Sequence, residues 1–202
     1  GQIDAVLSDI GTDTIKIGML HSAEVVNVVA DKIEQYKIKN VVLDPVMVST
    51  SGHRLIEEQA IEVLKLRLVP MARVITPNIP EAEILAGVKI TSEAQFAEVA
   101  RMLSNGGKNS VLLKAGHLSE DILTDYLYNA EDDTFTTLPS ARVDTKNTHG
   151  TGCTLSSALA AALARGFSLT EAAKMAKHYI EQAIISGAEY TIGNGFGAVD
   201  HF

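Results

Sequence analysis

The chain has few of the residues that mark disulfide-rich, zinc-binding and membrane proteins. One cysteine in 202 residues, Cys153, excludes internal disulfides and suits a reducing compartment such as the cytoplasm. The six histidines show no HxxxH spacing and accompany no paired cysteines, which argues against a structural zinc site. No apolar run reaches the ~18 residues of a membrane span, and no signal segment opens the chain. We therefore expect a cytoplasmic protein without membrane attachment.

Positive charge is also scarce. Lysine and arginine total 17 against 25 aspartate and glutamate residues, a formal net charge of −8. No basic face is left to neutralise a phosphate backbone, so we expect no nucleic-acid partner. A single nucleotide with magnesium stays compatible with this charge. The sequence also lacks the Gly-x4-Gly-Lys-Ser/Thr loop and a Gly-x-Gly-x-x-Gly after the first strand, so the common nucleotide-binding folds are not indicated.

The patterns that are present indicate one α/β domain. An apolar content of 46% with 21% charged residues is typical of globular proteins. Short apolar strands alternate with amphipathic helices, which predicts a mainly parallel sheet with helices on both faces. Four such strands are predicted over 14–17, 41–43, 74–75 and 111–113, and an antiparallel pair over 125–128 and 134–137. Helices are predicted over 23–36, 56–68, 80–86, 93–105, from near Gly152 to Arg165, and from a Thr170 cap to about Ser186.

Several side chains follow the predicted parallel strands directly: Met19, Asp44, Asn78 and Lys114. The carboxyl ends of parallel strands meet at one edge of a sheet, where ligands bind, so these side chains should converge. Asp44 is either a carboxylate beside magnesium or a turn-former before Pro45. Lys114 is either a ligand of a polyphosphate or a strand-end lysine in solvent.

Asn78 and Glu81 are three residues apart at a predicted helix start. Both side chains can point toward the same site. Alternatively, Asn78 only caps the helix and Glu81 only favours its dipole. His117 and His149 lie in loops and are either acid–base groups or residues that hydrogen-bond locally.

The segment from Asn147 to Ala158 places two glycines and the single cysteine before a helix rich in Ala and Leu. A helix start leaves about four N–H groups unsatisfied and carries a partial positive charge, which suits a phosphate. Glycines there let a ligand approach the backbone. The same groups would stabilise a thiolate, so Cys153 is interpreted as reactive, the alternative being an inert packed thiol.

Five segments resemble the hydroxymethylpyrimidine/phosphomethylpyrimidine kinases of thiamine synthesis, a branch of the ribokinase-like superfamily. In the family's order they are 16–20, 42–47, 75–82, 113–117 and 147–154, and 193–202 looks like the family's usual ending. The resemblance covers essentially the whole chain. It implies a single ribokinase-like domain over 1–202, a three-layer α/β/α fold with a mainly parallel sheet. The chain begins inside the family pattern, so the family's amino-terminal βα unit is expected to lie outside it.

The same resemblance implies a set of site residues. The anion hole would consist of Gly150, Thr151, Gly152 and Cys153, with Cys153 also the base near the acceptor oxygen. Mg²⁺ would be held largely through water by Asp44 and Glu81. The groups that contact ATP would be Lys114, Asn78 and Gly116. The pyrimidine pocket would be lined by Met19 and Val46.

The activity implied by the resemblance uses ATP and Mg²⁺. It is the phosphorylation of 4-amino-5-hydroxymethyl-2-methylpyrimidine and then of its monophosphate, in a cytoplasmic homodimer. One alternative is a pyridoxal kinase of the same branch, which tends to replace the Lys-x-Gly-His stretch and to read Gly-Ala-Gly-Cys. Lys114 and Thr151 favour the pyrimidine kinase. The other alternative is a non-catalytic remnant that binds nucleotide without turnover.

Overall fold

A computed structural model describes residues 1–48, 55–114 and 122–202. Its helices are α1 (Gln2–Leu7), α2 (Ala23–Gln35), α3 (Glu58–Val63), α4 (Ile79–Ala86), α5 (Phe96–Leu103), α6 (Thr151–Ala164) and α7 (Leu169–Gly187). Its strands are β1 (Ile15–Ile17), β2 (Val41–Leu43), β3 (Val74–Ile75), β4 (Ser110–Leu113), β5 (Ile122–Asn129) and β6 (Thr134–Ala141). Among these helices, none combines the length and the apolar character that crossing a bilayer requires.

The six strands form one sheet in the order of the sequence. Strands β1 to β4 are parallel, and β5 and β6 add an antiparallel hairpin that is longer than predicted. Each parallel crossover moves to the next strand on the same side. Because such crossovers are right-handed, α2 to α5 all lie on one face, and α6 and α7 cover the other. The predicted three-layer α/β arrangement with a mainly parallel sheet is confirmed.

Strand β2 shows why the central strands read as continuous apolar runs. Val41 and Leu43 belong to the core cluster under α2 to α5, whereas Val42 belongs to the cluster under α6 and α7. All three side chains are fully buried. Burying both faces removes the apolar–polar alternation of a half-exposed strand. Each such side chain contributes about 1.5–3 kcal/mol to folding.

Helix α2 presents a different face to the sheet than its valines suggested. The pattern predicted a face that includes Val25 and Val28, but both are largely exposed. The buried residues are Val26, Ala30 and Ile33, which are spaced four and three residues apart. In a helix with valines on several sides, the sequence period leaves the buried face ambiguous, and packing against β1 and β2 decides it.

The helix predicted over 56–68 is less regular than expected. Helix α3 is followed by a five-residue π-helix, Leu64–Leu68, and then by a 3₁₀ turn, Val69–Met71. Both Leu64 and Leu68 are buried at the ends of the wide turn. The helix predicted over 93–105 likewise begins with a 3₁₀ turn and ends two residues early, at Leu103.

Side-chain caps and a glycine define several of the helix ends. Ser22 caps α2, and Gly87 ends α4 in the left-handed conformation. The predicted Thr170 cap of α7 is wrong, because the helix begins one residue before it. Ser168 is the cap, and it forms a reciprocal capping box with Glu171.

Candidate active site

Asp44 lies at the centre of the strand-end cluster. It follows β2 and is only 1% exposed. Its Oδ1 accepts hydrogen bonds from Lys114 Nζ at 2.8 Å and from Thr76 Oγ1 at 3.1 Å. Its Oδ2 accepts one from Ser156 Oγ in α6 at 3.1 Å. A buried carboxylate needs such partners to offset its desolvation, so Asp44 is more than a turn-former before Pro45.

Two ammonium groups flank this carboxylate. Lys114, at the end of β4, is 14% exposed, so the interpretation as a lysine in solvent is wrong. Lys16, on β1, lies 3.8 Å from Asp44 Oδ2 and is 19% exposed. With Asp44 and Glu81, the cluster holds two positive and two negative side chains. An arriving phosphate would therefore meet preplaced cations at this edge of the sheet.

The structure confirms the capping interpretation of Asn78 and Glu81, and their role at a site stays a prediction. They form a capping box at the start of α4: Glu81 N–H donates to Asn78 Oδ1, and Asn78 N–H donates to Glu81 Oε2, each at 2.9 Å. Glu81 is also 2% exposed. Burial raises the pKa of the Glu81 carboxyl, as does the charge of Asp44, while the Lys114 ammonium and the N–H groups of Asn78 and Met47 lower it. The carboxylate is therefore electrostatically coupled to the cluster.

The start of α6 lies beside Lys114. We call its first residues, Gly150 to Cys153, the cradle. Gly150 has φ +89°, a conformation that favours glycine, and the helix begins at Thr151, one residue earlier than predicted. Cys153 is exposed in the first turn, so the packed-thiol alternative is wrong. A Cβ on Gly152 would lie 3.2 Å from Lys114 Nζ. Lys114 thus links Asp44 to Gly152, one of the four predicted anion-hole residues.

A groove of about 640 Å³ runs from the cradle between α6 and α7. Its lining includes Gly150, Cys153 and Thr154 at one end and the side chains of Met175, Tyr179 and His201. The carboxyl-terminal tail therefore reaches the cradle. The sequence had given His201 no function.

The structure describes the position of some of the remaining predicted residues and not of others. Met19 and Val46 follow β1 and β2, with Met19 52% exposed, so they lie at the predicted edge while their substrate role stays a prediction. Gly116 and His117 lie outside the described residues. His149 is exposed, and its backbone N–H donates to Gly197 O at 3.0 Å.

Three polar residues of the cluster were missed from the sequence. Thr76 directly follows β3, and Lys16 lies on β1 inside a recognised segment, so position alone offered a signal for both. Ser156 is a buried polar residue in a helix of Ala and Leu, which is also a readable signal. Its partner Asp44 is 112 positions away, and only the fold identifies that contact.

The cluster suits magnesium held through water. Among the described residues, no group of three or more His, Cys, Asp and Glu side chains is arranged to hold a metal ion. Both oxygens of Asp44 already accept hydrogen bonds from the chain. Carboxylate oxygens are the ligands magnesium prefers, and magnesium keeps several of its waters. Asp44 and Glu81 therefore fit a hydrated Mg²⁺ better than a directly coordinated one.

The chain is similar over its whole length to known proteins of one family. The family model of phosphomethylpyrimidine kinase matches residues 1–200. A thiamine biosynthesis bifunctional protein of Geobacter sulfurreducens is 47% identical over 99% of this chain and 40% of its own length. A hydroxymethylpyrimidine/phosphomethylpyrimidine kinase of Rhizobium meliloti is 43% identical over 100% of the chain and 75% of its own length.

Solved kinase structures share this fold. Pyridoxal kinase from Staphylococcus aureus in complex with ADP superposes with a TM-score of 0.89 at 33% identity, covering 99% of this chain and 71% of that one. The chain thus spans about two fifths of the bifunctional relative and about three quarters of the single-function kinase. The full-length match to the family model, together with these identities, establishes that the chain belongs to the phosphomethylpyrimidine kinase family.

Proposed function

We propose that this chain transfers the γ-phosphoryl group of ATP to 4-amino-5-hydroxymethyl-2-methylpyrimidine and then to its monophosphate. The observation that carries the proposal is the position of Lys114. Its ammonium bonds to Asp44 and lies against Gly152 at the start of α6. Phosphoryl transfer depends mainly on positioning and on neutralising the moving group, and an ammonium beside free N–H groups provides both.

Each cradle residue has a role in the proposed step. In the proposed step, the N–H groups of Gly152 and Cys153 face the oxygens of the moving phosphoryl group. The Thr151 N–H donates to Thr148 O at 3.4 Å and holds the turn before them. The Cys153 thiolate takes the proton of the acceptor hydroxyl as that oxygen bonds to phosphorus, and the bond from phosphorus to the bridging oxygen breaks to release ADP. Base assistance of this kind is typically worth ~10²–10⁴-fold. The helix dipole that favours the thiolate also weakens it as a base, so Cys153 acts partly by positioning the hydroxyl.

Asp44 and Glu81 are proposed to hold Mg²⁺ through its waters. When bound there, the ion would neutralise charge on the ATP phosphates. Asp44 also orients Lys114, and Glu81 fixes the start of α4 next to Asn78. Asn78, Lys114 and Gly116 are proposed to lie along the nucleotide, and Met19 and Val46 along the pyrimidine.

A matched pair of acceptors tests the proposal. The purified chain is incubated with ATP and Mg²⁺ and with either hydroxymethylpyrimidine or pyridoxal, and ADP release is followed. We expect turnover with the pyrimidine, and its loss when a chelator removes Mg²⁺. The structural likeness to the S. aureus pyridoxal kinase favours pyridoxal as a second candidate. Strong stimulation by pyridoxal alone would overturn the pyrimidine assignment, and ADP binding without turnover on either acceptor would indicate a binding module.

The resemblance to the family also leads us to propose a cytoplasmic homodimer. The single, exposed Cys153 would remain reduced in that compartment. Light scattering coupled to size exclusion should give twice the 21.6 kDa mass of the chain. A monomer at the concentrations used for the assay would contradict the dimer while leaving the proposed chemistry intact.

A further inference from the structure

The carboxyl-terminal tail is bound across α7 and returns to the cradle. Val199 is buried in the core under α6 and α7, and Asp200 N–H donates to Ala183 O at 3.0 Å. The Asp200 carboxylate accepts hydrogen bonds from Ser186 Oγ at 2.7 Å and Tyr190 OH at 3.0 Å. These contacts fix the residue immediately before His201.

The tail also contacts the segment that leads into the cradle. His149 pairs with Ala198 in a parallel bridge, and its N–H donates to Gly197 O. A Cβ on Gly197 would overlap the side chain of the buried Asn147, so the tail runs directly against the segment that leads into the cradle. The tail backbone therefore contacts α7 at Ala183 and the segment before α6 at His149. Together these contacts hold His201 next to the first turn of α6.

His201 bonds to the cradle through one hydroxyl. Its Nε2 lies 2.9 Å from Thr154 Oγ1, and the same Oγ1 lies 2.8 Å from Gly150 O. The hydroxyl has one proton and two partners. If it donates to Gly150 O, it can still accept from Nε2–H, so both bonds form. If it donates to Nε2, Gly150 O keeps only the Thr154 N–H. The first arrangement makes more hydrogen bonds and assigns the imidazole proton to Nε2.

We propose that His201 is a positioning residue for the phosphate cradle, acting through Thr154 on Gly150. The inference deepens the proposed function, since it rests on the cradle being the phosphoryl site. Gly150, left-handed at the N-cap, sets the orientation of the chain as it enters α6. The Thr154 hydroxyl, in the first turn of α6, donates to the Gly150 carbonyl. This hydrogen bond fixes that orientation before a ligand arrives. The tail thus belongs to the site, although His201 is 51 positions beyond Gly150 in the sequence.

The test compares replacements at His201 in the full chain. ADP affinity is measured by calorimetry. The rate at which iodoacetamide alkylates Cys153 is measured without nucleotide. His201→Ala should weaken ADP binding about fivefold and slow alkylation by a similar factor, the effect of one net hydrogen bond. His201→Gln places an amide donor near the Nε2 position and should restore most of both. His178→Ala, which removes an exposed imidazole of α7 that does not line the groove, should change neither.

Each possible result supports or overturns the role proposed for His201. Equal ADP affinity and alkylation in His201→Ala and the native chain would overturn it, as would a loss of the same size in His178→Ala. If His201→Ala does not fold, Thr154→Val breaks the same link from the other side and should give the same loss. If the native chain binds no ADP, the proposed function fails, and the alkylation series alone still tests whether His201 holds the cradle.

Discussion

Lys114 Nζ lies 2.8 Å from Asp44 Oδ1, although the two residues are 70 positions apart in the chain. The same ammonium lies beside Gly152, at the start of α6. The Lys114 ammonium therefore links the end of β2 to the start of α6. Helix α6 covers the face of the sheet opposite α2 to α5. Because Asp44 holds the ammonium in place before any ligand arrives, little reorganisation is needed when a phosphate binds.

Gly152→Ala should separate function from stability. Gly152 lies within α6 at a helical position, so alanine should leave the fold intact or stabilise it by ~0.5–1 kcal/mol. The new methyl group would lie 3.2 Å from Lys114 Nζ and displace it. We expect weaker ADP binding with an unchanged or higher melting temperature. Gly197→Ala is the contrasting change, since its methyl group would overlap Asn147 and should lower the melting temperature. Unaltered ADP affinity in Gly152→Ala would contradict the account.

Cys153→Ala should reduce the chemical step while leaving nucleotide affinity nearly intact. The side chain is exposed, so its truncation should leave the fold intact. Loss of the base should lower kcat by ~10²–10⁴-fold. The measurement is single-turnover phosphoryl transfer beside ADP calorimetry. A large loss of ADP binding with proportionate loss of turnover would instead make Cys153 a structural element of the cradle.

Asp44→Asn should strengthen the binding of metal-free ADP and slow the Mg²⁺-dependent reaction. Neutralising Asp44 leaves Lys114 and Lys16 without their shared carboxylate, so ADP without Mg²⁺ should bind more tightly. Turnover with Mg²⁺ should fall, because one of the two carboxylates proposed to hold the hydrated ion is gone. Asp31→Asn, an exposed carboxylate paired with Arg67 on the surface, is the control and should change neither quantity. Weaker binding of metal-free ADP in Asp44→Asn would refute the charge argument.

Glu81 should give the protein a pH-dependent destabilisation. Burial raises the pKa of Glu81 above its ordinary value of 4.5, so the folded state binds this proton more tightly than the unfolded state. The associated stability is fully present below the unfolded pKa and is lost as pH rises through the folded pKa. Relative to the native chain, Glu81→Gln should therefore become progressively more stable as pH increases from about 4.5. Urea unfolding at a series of pH values measures the difference, and a flat or opposite trend would contradict it.

Much of the fold and of the site was readable in the sequence because both depend on local signals. Val41 to Leu43 form an apolar run that only a strand buried on both faces explains, and the charged residue that follows must then lie at the sheet edge. The same reasoning located Lys114. Gly150, just before α6, has the left-handed conformation that a glycine at a helix start favours.

The missed features depend on contacts between distant segments or on competing local patterns. The hydrogen bond from Ser156 to Asp44 joins α6 to β2, and no spacing rule connects them. Leu64 and Leu68 are compatible with a regular helix, so the π-helix between them follows from packing alone. Thr170 and Ser168 are both acceptable caps, but Ser168 has Glu171 three residues later, and that reciprocal pattern was decisive.

The most direct test of the central claim is the affinity of Lys114→Met for ADP in the presence of Mg²⁺, measured by calorimetry against Lys89→Met. Lys89 is an exposed lysine paired with Glu83, so its replacement removes the same charge away from the site. The account predicts that Lys114→Met binds ADP about ten- to a hundredfold more weakly, the effect of losing a charge-assisted hydrogen bond, while Lys89→Met binds it as the native chain does. Equal affinity in the two variants would contradict the assignment of Lys114 and the start of α6 as the nucleotide phosphate site.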